Sequence, residues 1–421
     1  MAASRILPGR LQILIVTTLA EPSLNRSRMP FPSRRAVAAR GRTIAARFGK
    51  VRVAVRHRLL AGPALLDVLL VSDELAYTSE QQFAPMTRHA AALQRRFGAV
   101  VRHVALPGAM KLAQPALAGV AVLGLKLSFT TAPDEALRIA RHFRGLIEGS
   151  ATRLVYFDGD DDLCIQWPQL LEQVHAYVKK HVFANSAAYG CRYSGKSNLT
   201  DYVVRRHGRS FETNEIPSAG PVPANQLSKL HLGWNIGLDD KIAALVHTLP
   251  PIDASTKDVD VACRAFVKED VWIYPLRGPL VERIAALEGR FRVLAPRERV
   301  SQAQYYDEMT RARICVSPFG YGELCWRDFE ALLCGCMLVK PDMSHVRTWP
   351  DIFVAGETYA PVRWDYADLA EVCARYLDDE PARRRMAERA RAVLIEALGE
   401  AAFVETFGTL LTRLAAYPRA D

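Results

Sequence analysis

The sequence predicts an α/β fold of two doubly wound, Rossmann-like lobes that face a cleft and follow a basic N-terminal arm. Three observations lead to this prediction: a length of 421 residues, a hydrophobic share of 50%, and short apolar runs that alternate with helical stretches from Ala64 onward. A chain of this length exceeds one ordinary domain. Regular alternation of strands and helices indicates parallel sheets with helices packed on their faces.

The first lobe is expected at residues 64–250. Its strand candidates are residues 65–72, 100–106, 120–126, 153–157 and 177–182. A helix is predicted to begin near Thr131, the expected cap, because Pro133, Asp134 and Glu135 suit a first helical turn. Polar and glycine-bearing residues interrupt the pattern at 183–250, so we place the hinge between the lobes near Pro250.

The second lobe is expected at residues 251–400. Its strand candidates are residues 259–264, 291–294, 314–317 and 337–340, and its helix candidates are residues 279–288, 303–311, 324–334, 367–377 and 382–398. The last helical pattern lies in residues 401–421 and is treated as a separate C-terminal helix.

Positive charge is concentrated at the amino terminus. Residues 1–63 hold 13 Lys or Arg and one acidic residue, whereas the remaining 358 residues hold 42 basic and 44 acidic residues. The body of the protein is therefore close to neutral, and we do not expect nucleic acid as its partner. Three interpretations of the arm stay open: a disordered extension or a misassigned start, attachment to an anionic membrane surface, and nucleic-acid binding.

Composition argues against disulfide-rich, zinc-binding and membrane-spanning proteins. The eight cysteines form no C-x-x-C pair and lie mostly in apolar segments, which is typical of free thiols in a reducing compartment. No uncharged apolar run approaches the roughly 20 residues of a spanning helix. We therefore predict a cytoplasmic protein, peripheral on the inner face of the membrane if the arm attaches there.

The segment 313–345 contains most of the residues that could bind a ligand in the second lobe. Gly320, Tyr321 and Gly322 follow a predicted strand and precede a predicted helix. Glycines let the backbone approach a ligand closely and free amides at a helix N-terminus attract anions, so this loop suits a diphosphate. Arg327 and Glu330 lie three residues apart and share a helix face. A structural alternative stays open, in which the glycines make a turn and the two charged residues pair.

The same segment resembles the donor-binding region of GT-B glycosyltransferases, in which a glycine loop leads into a helix reading F-E-A-L and then G-C before an apolar strand. It is most similar to the exostosin-like branch. The resemblance is carried by Gly320, Tyr321, Gly322, Arg327, Phe329, Glu330, Ala331, Leu332, Gly335 and Cys336, with Tyr305 and Tyr306 upstream. It extends in detail over residues 259–398, and the first lobe shares only the alternating pattern.

The resemblance implies a nucleotide-sugar donor bound by the second lobe. Glu330 would accept hydrogen bonds from the two ribose hydroxyls, a role that suits a carboxylate because it offers only acceptors. Arg327 would bind the diphosphate, and Arg264 is a further candidate for the donor site. Many retaining members of the family carry a second Glu eight positions before the one that corresponds to Glu330. That position holds Gly322 here, which favours inversion, and Glu323, one place away, is not assigned a sugar contact.

Four aspartates follow a predicted strand of the first lobe: Asp158, Asp160, Asp161 and Asp162. Ligands bind at the carboxyl ends of strands in a doubly wound sheet, so these acids are expected to face the cleft. Three roles stay open: helix capping, deprotonation of an acceptor hydroxyl, and metal binding. Asp160 and Asp162 are the candidate catalytic bases. We expect no metal and no other cofactor, and the alternative bases are Glu74, His181 and His231.

The leading interpretation is a glycosyltransferase that moves a sugar from a nucleotide-sugar donor to a glycan or lipid-linked acceptor, in the synthesis of cell-surface polysaccharide or glycoconjugate. One alternative is a sugar-nucleotide epimerase or a phosphorylase on the same fold. Another is a non-catalytic binding protein recruited through its basic arm. An epimerase would act without an acceptor, and a nucleic-acid binder would lose affinity on deletion of residues 1–63.

Overall fold

The computed structural model describes residues 66–73, 77–208, 220–265, 271–296 and 298–416, all within one compact unit, Pro63–Asp421. The predicted arm, residues 1–63, and the alternative base Glu74 lie outside these ranges. In the described residues two parallel sheets are covered by helices, so the predicted fold of two doubly wound lobes is confirmed. No helix in these ranges is long and apolar enough to cross a membrane.

The first lobe is built on a parallel sheet of six strands in the order β2-β1-β3-β4-β5-β7. The strands of this part of the chain are β1 Leu66–Ser72, β2 Ala99–Ala105, β3 Val120–Lys126, β4 Arg153–Asp158, β5 Ala176–Lys179, β6 His181–Phe183, which lies outside the sheet, and β7 Leu230–Leu232. The strand order reverses between β1 and β3. Such a switch point opens a crevice at the carboxyl ends of the strands.

Helices cover both faces of this sheet: α1 Tyr77–Arg88, α2 Ala90–Phe97, α3 Leu106–Ala109 and α4 Pro133–Leu146. Because both faces are covered, β4 is buried along its whole length and needs an uninterrupted apolar run. Pro133 opens α4 as predicted, but the predicted cap Thr131 is wrong. Ala132 holds the cap position without a side-chain hydrogen bond, so Pro133 and the acids after it define this helix start.

The second lobe begins earlier in the chain than predicted. Helices α5 Asn198–His207 and α6 Asp240–Thr248 bury Leu199 and Ile242 in the core of the second lobe, although β7, between them, belongs to the first sheet. The apolar faces of both helices are covered by the second lobe, so the chain passes between the lobes more than once. The predicted boundary near Pro250 therefore does not coincide with the packing.

The second sheet repeats the strand arrangement of the first. Its five parallel strands lie in the order β13-β11-β10-β8-β9. The strands are β8 Val259–Ala262, β9 Val293–Leu294, β10 Ala312–Val316, β11 Met337–Pro341, β12 Val346–Thr348, which lies outside this sheet, and β13 Ala360–Val362. The helices are α7 Tyr274–Ala285, α8 Gln302–Arg311, α9 Trp326–Leu333, α10 Leu369–Asp378 and α11 Glu380–Leu398. The switch point of this sheet lies between β8 and β10.

A short antiparallel ladder joins the lobes. The single strand predicted at 177–182 is two strands, because the chain turns after β5 and β6 pairs with β12 of the second lobe. His181 is opposite Thr348 in this ladder. The carboxyl edge of the first sheet is thereby tied to the loop that follows β11.

The last helix, α12 Glu400–Ala415, returns to the first lobe. Its Phe403 and Phe407 pack edge-on against Trp234, with ring centroids 5.5 and 4.8 Å apart. Gly408 lies against the ring of Phe97 in α2. The C-terminal helix predicted at 401–421 is thus part of the first hydrophobic core and not a separate segment.

The close approach of α12 to α2 can be tested by adding one methyl group. A Cβ at Gly408 would lie 2.2 Å from the Phe97 ring, so Gly408→Ala is expected to lower the free energy of unfolding by roughly 1–3 kcal/mol, measured by denaturant titration. Gly145→Ala in α4 is the control, because a Cβ built there would meet no neighbouring atom within 4 Å. It should leave the free energy of unfolding unchanged or raise it by up to about 1 kcal/mol. Equal stability of the two variants would contradict this packing.

Candidate functional site

The two chemically rich segments predicted from the sequence touch each other. Asp161 follows β4 of the first lobe, and Gly322 follows β10 of the second. A Cβ built on Gly322 would lie 1.8 Å from the carbonyl oxygen of Asp161. Gly320 and Gly322 do not have positive φ angles, so Gly322 is required here for space and not for backbone conformation. The carboxyl edges of both sheets therefore meet at one place.

Each aspartate of the first-lobe loop is paired with its own lysine. The pairs are Asp158 with Lys179 at 2.8 Å, Asp160 with Lys126 at 2.9 Å, Asp161 with Lys180 at 2.7 Å and Asp162 with Lys196 at 3.0 Å. Buried carboxylates need such compensation because removal from water disfavours the charged form. Among the described residues no group of three or more potential ligands is arranged to hold a metal ion.

Asp160 and Asp162 differ in their surroundings. Burial raises the pKa of Asp160, an effect that the Lys126 ammonium opposes, and its amide is bonded to Asp158. Burial raises the pKa of Asp162 to about 6, although Lys196 acts in the other direction. The Oδ1 atom of Asp162 has no hydrogen-bond partner within the described ranges. A carboxylate with this pKa and a free oxygen is suited to accept a proton near neutral pH.

Four further polar side chains from both lobes form what we call the interlobe cluster: His181, Asn198, Glu323 and His345. Asn198 Nδ2 donates to Glu323 Oε1 at 2.7 Å. His345 Nε2 lies 3.5 Å from Glu323 Oε1, and His181 Nε2 lies 3.9 Å from Glu323 Oε2. The cluster thus brings together the start of β6, the start of α5, the loop before α9 and the loop before β12.

Several atoms of this cluster lack hydrogen-bond partners within the described part of the chain: Asn198 Oδ1, Glu323 Oε2, both ring nitrogens of His181 and Nε2 of His345. The backbone of Asp161 lies near the His181 ring and raises its pKa slightly against the effect of burial, but neither ring nitrogen makes a hydrogen bond of normal geometry to it. Buried polar atoms are nearly always satisfied in folded proteins. Such a concentration indicates a place for a polar ligand.

The His181 ring is neutral at physiological pH. Burial lowers its pKa well below the ordinary value, and the nearby Lys180 and Lys179 lower it further. A neutral imidazole offers one donor and one acceptor. Together with the acceptor oxygens of Asn198 and Glu323, it can bind a ligand with several hydroxyl groups.

Glu330 lies on α9 and is only 4% exposed. Its carboxylate accepts hydrogen bonds from the hydroxyls of Tyr305 at 2.8 Å and Tyr306 at 3.1 Å, and its Oε1 lies 2.6 Å from Lys241 Nζ. Glu330, Lys241 and Tyr305 line a cavity of about 350 Å³, whose other wall includes Arg264, Pro296 and Glu298. This volume lies in the range of small-molecule sites.

The two arginines predicted for the donor site have different environments. Arg264 donates from Nε and Nη2 to the carboxylate of Glu308 at 2.5 and 2.6 Å, so its charge is compensated. Arg327 donates to the Ser317 hydroxyl and to the backbone carbonyls of Arg264 and Pro318. These partners of Arg327 are neutral. Arg327 thus ties the loops after β8 and β10 together at the switch point and keeps its positive charge.

The glycine loop ends in a helix start that is capped internally. Asp328 accepts the amide hydrogen of Cys325 at 2.9 Å and is bonded to Ser317 and Lys340 at 2.5 and 3.1 Å. Part of the N-terminal anion site predicted for α9 is therefore occupied by the protein's own carboxylate. Tyr321, at the tip of the loop, is 52% exposed.

The predicted residues thus divide into two groups around one loop and helix. Arg264, Arg327 and Glu330 surround or support the cavity, whereas Asp162 lies on the segment that meets Gly322. Glu323 and His345 were not predicted as site residues. Glu323 stands one position from the family pattern, and His345 is a single histidine after a strand, so only their spatial convergence identifies them.

One comparison with known proteins assigns part of the second lobe to a known family. Residues 277–398 match a family described as glycosyl transferase-like. The second lobe therefore carries a glycosyltransferase domain, and the predicted enzyme class is confirmed at that level. The matched residues include the glycine loop, Arg327 and Glu330. No curated protein matches the chain significantly.

Solved structures with a similar course of the chain have low sequence identity. An α,α-trehalose-phosphate synthase (UDP-forming) from Burkholderia vietnamiensis has a TM-score of 0.44 at 12% identity, over 85% of this chain and 99% of its own. Anabaena HepE in complex with UDP-glucose has a TM-score of 0.40 at 10% identity, over 82% and 99%. A putative UDP-N-acetylglucosamine 2-epimerase from Listeria monocytogenes has a TM-score of 0.42 at 10% identity, over 85% and 98%.

The contact between the lobes can be tested at Gly322. Gly322→Ala would push the Asp161 backbone away and is expected to lower the free energy of unfolding by roughly 1–3 kcal/mol, measured by denaturant titration. Gly190→Ala is the matched control, because a Cβ built there would meet no neighbouring atom within 4 Å. This variant should have the stability of the unmodified protein. If Gly322→Ala is as stable as the control, the two loops are not in contact.

Proposed function

We propose that this protein transfers a sugar from a nucleotide-sugar donor to a glycan or lipid-linked acceptor. The observation that carries the proposal is the buried carboxylate of Glu330, which belongs to the glycosyl transferase-like match and opens on a cavity of about 350 Å³. A buried carboxylate is an acceptor-only group suited to a ribose diol. The cavity lies beside the switch point between β8 and β10, where doubly wound folds bind ligands.

In this proposal the diphosphate lies along the glycine loop. Arg327 is better suited than Arg264 to stabilise it, because the described partners of Arg327 are neutral whereas Glu308 compensates Arg264. A positive charge that is held in place before the reaction stabilises the charge that develops on the leaving group. The aspartate–lysine pairs leave little negative charge to attract a cation, which supports our expectation that no metal is needed.

The transferred sugar then extends toward the interlobe cluster, whose acceptor oxygens and neutral imidazole suit its hydroxyl groups. Asp162 is the proposed base. Its carboxylate takes the proton of the acceptor hydroxyl, the acceptor oxygen forms a bond to the anomeric carbon, and the bond from that carbon to the diphosphate oxygen breaks. The nucleoside diphosphate leaves with the electron pair, and the configuration at the anomeric carbon is inverted.

Several finer assignments belong to the proposal. The similarity of the donor segment to the exostosin-like branch supports a role in cell-surface polysaccharide or glycoconjugate synthesis. Cytoplasmic location and attachment of residues 1–63 to an anionic membrane surface stay predictions. A screen of UDP-, GDP-, CMP- and dTDP-sugars by thermal shift and by hydrolysis identifies the donor, because a ligand that binds the folded state stabilises it. Epimerisation of a UDP-sugar without an acceptor would instead favour the epimerase alternative.

Replacement of Glu330 tests the donor site. Glu330→Ala is expected to weaken nucleotide-sugar binding roughly tenfold or more, because hydrogen bonds to a charged group contribute about 1.5–3 kcal/mol. Isothermal titration calorimetry measures the change, and Glu357→Ala, in an exposed position, is the control with the same change of charge. Unchanged donor affinity in folded Glu330→Ala would assign Glu330 a purely structural role.

Replacement of Asp162 tests the base. Asp162→Asn is expected to lower kcat roughly 10²- to 10⁴-fold, and Asp160→Asn less, since Asp162 has the free oxygen. Activity of the unmodified enzyme should fall as pH drops below about 6, because protonated Asp162 cannot accept a proton. Turnover should persist in excess chelator. Loss of activity on chelation with recovery in Mn²⁺ would show that the aspartates bind a metal.

A further inference from the structure

The carboxylate of Glu330 already has three internal partners. Lys241 Nζ lies 2.6 Å from Oε1, the Tyr306 hydroxyl donates to Oε1 and the Tyr305 hydroxyl donates to Oε2. A carboxylate offers about four lone-pair sites. One site is therefore left, on Oε2, whereas a ribose diol needs two acceptors.

This inference rests on the proposed function, in which Glu330 binds the ribose. Since one acceptor site is left, a ribose diol can bind only if an internal partner leaves the carboxylate. The choice among the three partners follows from their surroundings.

The two tyrosines are held in place. Tyr305 is largely buried, which raises its pKa well above the ordinary value, and its ring lies 5.2 Å from that of Tyr306. Tyr306 also accepts a hydrogen bond from Gln302 at 3.0 Å. Both rings lie on α8 and are held by these contacts, so their hydroxyls are less free to leave Glu330 than an ammonium on a flexible chain.

Lys241 is free to move. Its side chain is 27% exposed and lies at the wall of the cavity. The ammonium is 4.5 Å from the centre of the Trp326 ring, so a cation–π contact remains available when the ion pair opens. A lysine side chain has four rotatable bonds, so it can leave without a change in the backbone.

We propose that Lys241 occupies Glu330 in the empty cavity and competes with the ribose diol of the incoming nucleotide for this carboxylate. In the empty state the ammonium lies against the buried carboxylate and holds it in place. In the bound state two ribose hydroxyls take over the acceptors on Glu330, and the ammonium moves toward Trp326. Lys241 thus sets the donor affinity without contacting the reacting atoms.

The test uses the full chain and whichever of UDP, GDP, CDP and ADP binds most tightly, together with the 2′,3′-dideoxy form of the same nucleotide. Lys241→Met should bind the ribonucleotide roughly three- to tenfold more tightly, since a partly buried ion pair no longer has to be broken. The affinity for the dideoxy nucleotide should not change in Lys241→Met, because this nucleotide lacks the diol. Lys241→Arg keeps the positive charge and should bind the ribonucleotide as tightly as the unmodified protein. In turnover, Lys241→Met should lower KM for the donor and leave kcat unchanged.

The control is Lys111→Met, which removes one exposed positive charge from the first lobe and should leave affinity unchanged. Weaker binding by Lys241→Met would overturn the proposal and make Lys241 a ligand of the nucleotide phosphates. An equal gain for the dideoxy nucleotide would also overturn it. If Glu330→Gln does not weaken ribonucleotide binding, the proposed function fails. If Glu330→Gln weakens binding but Lys241→Met does not strengthen it, only the competition fails.

Discussion

The arrangement of the candidate site depends on one contact, in which the Gly322 backbone lies against the carbonyl of Asp161 with no room for a side chain. This contact brings the carboxyl edges of two separate sheets together. The ladder between β6 and β12 holds the same junction. A transfer reaction needs two substrates in fixed relative positions, and this junction positions the groups that would bind them.

Electrostatics explains why acidic residues can be gathered at this junction. Each aspartate of the loop after β4 has a lysine partner, and the partners of Asp158, Asp160 and Asp161 are themselves fully buried. Lys196, the partner of Asp162, is partly exposed, and one oxygen of Asp162 has no partner among the described residues. Burial raises the pKa of Asp162 to about 6 in the folded state, although Lys196 opposes this shift. Protonation of Asp162 therefore adds to the free energy of unfolding at a pH below the ordinary pKa of an aspartate. This contribution is lost as the pH rises through about 6.

The sequence predicts most strands of the two sheets because both sheets are covered on both faces, but the short strands β7 and β13 were not predicted. Strand β3, for example, is found at Val120–Lys126 as predicted, since its apolar run reflects local burial. The lobe boundary could not be predicted in the same way. Helices α5 and α6 have ordinary amphipathic patterns, and no local signal tells which of two neighbouring cores covers their apolar faces. Strand β6 was predicted as a continuation of β5 because its partner β12 lies in the other lobe.

The sequence predicted those parts of the candidate site whose residues lie close together in the chain. The glycine loop and Glu330 are close in sequence and form a recognisable motif, whereas His181, Asn198 and His345 come from three separate elements. Their role emerges only when the fold places them around Glu323. Arg264 illustrates the opposite case, since its position after β8 suggests a phosphate ligand, but Glu308, from α8, takes two of its donors.

The glycine loop and α9 together determine where a donor could lie. Glu323 precedes the helix and belongs to the interlobe cluster, whereas Glu330 lies on the helix and lines the cavity. Asp328, between them, holds the helix start through Cys325, Ser317 and Lys340, so the segment cannot flex freely at this point. The spacing between the group proposed to bind the ribose and the group proposed to bind the sugar is therefore set by one rigid piece of backbone. In the proposed competition, the long side chain of Lys241 moves beside this segment, so it would tune the affinity for the donor without moving the reaction centre.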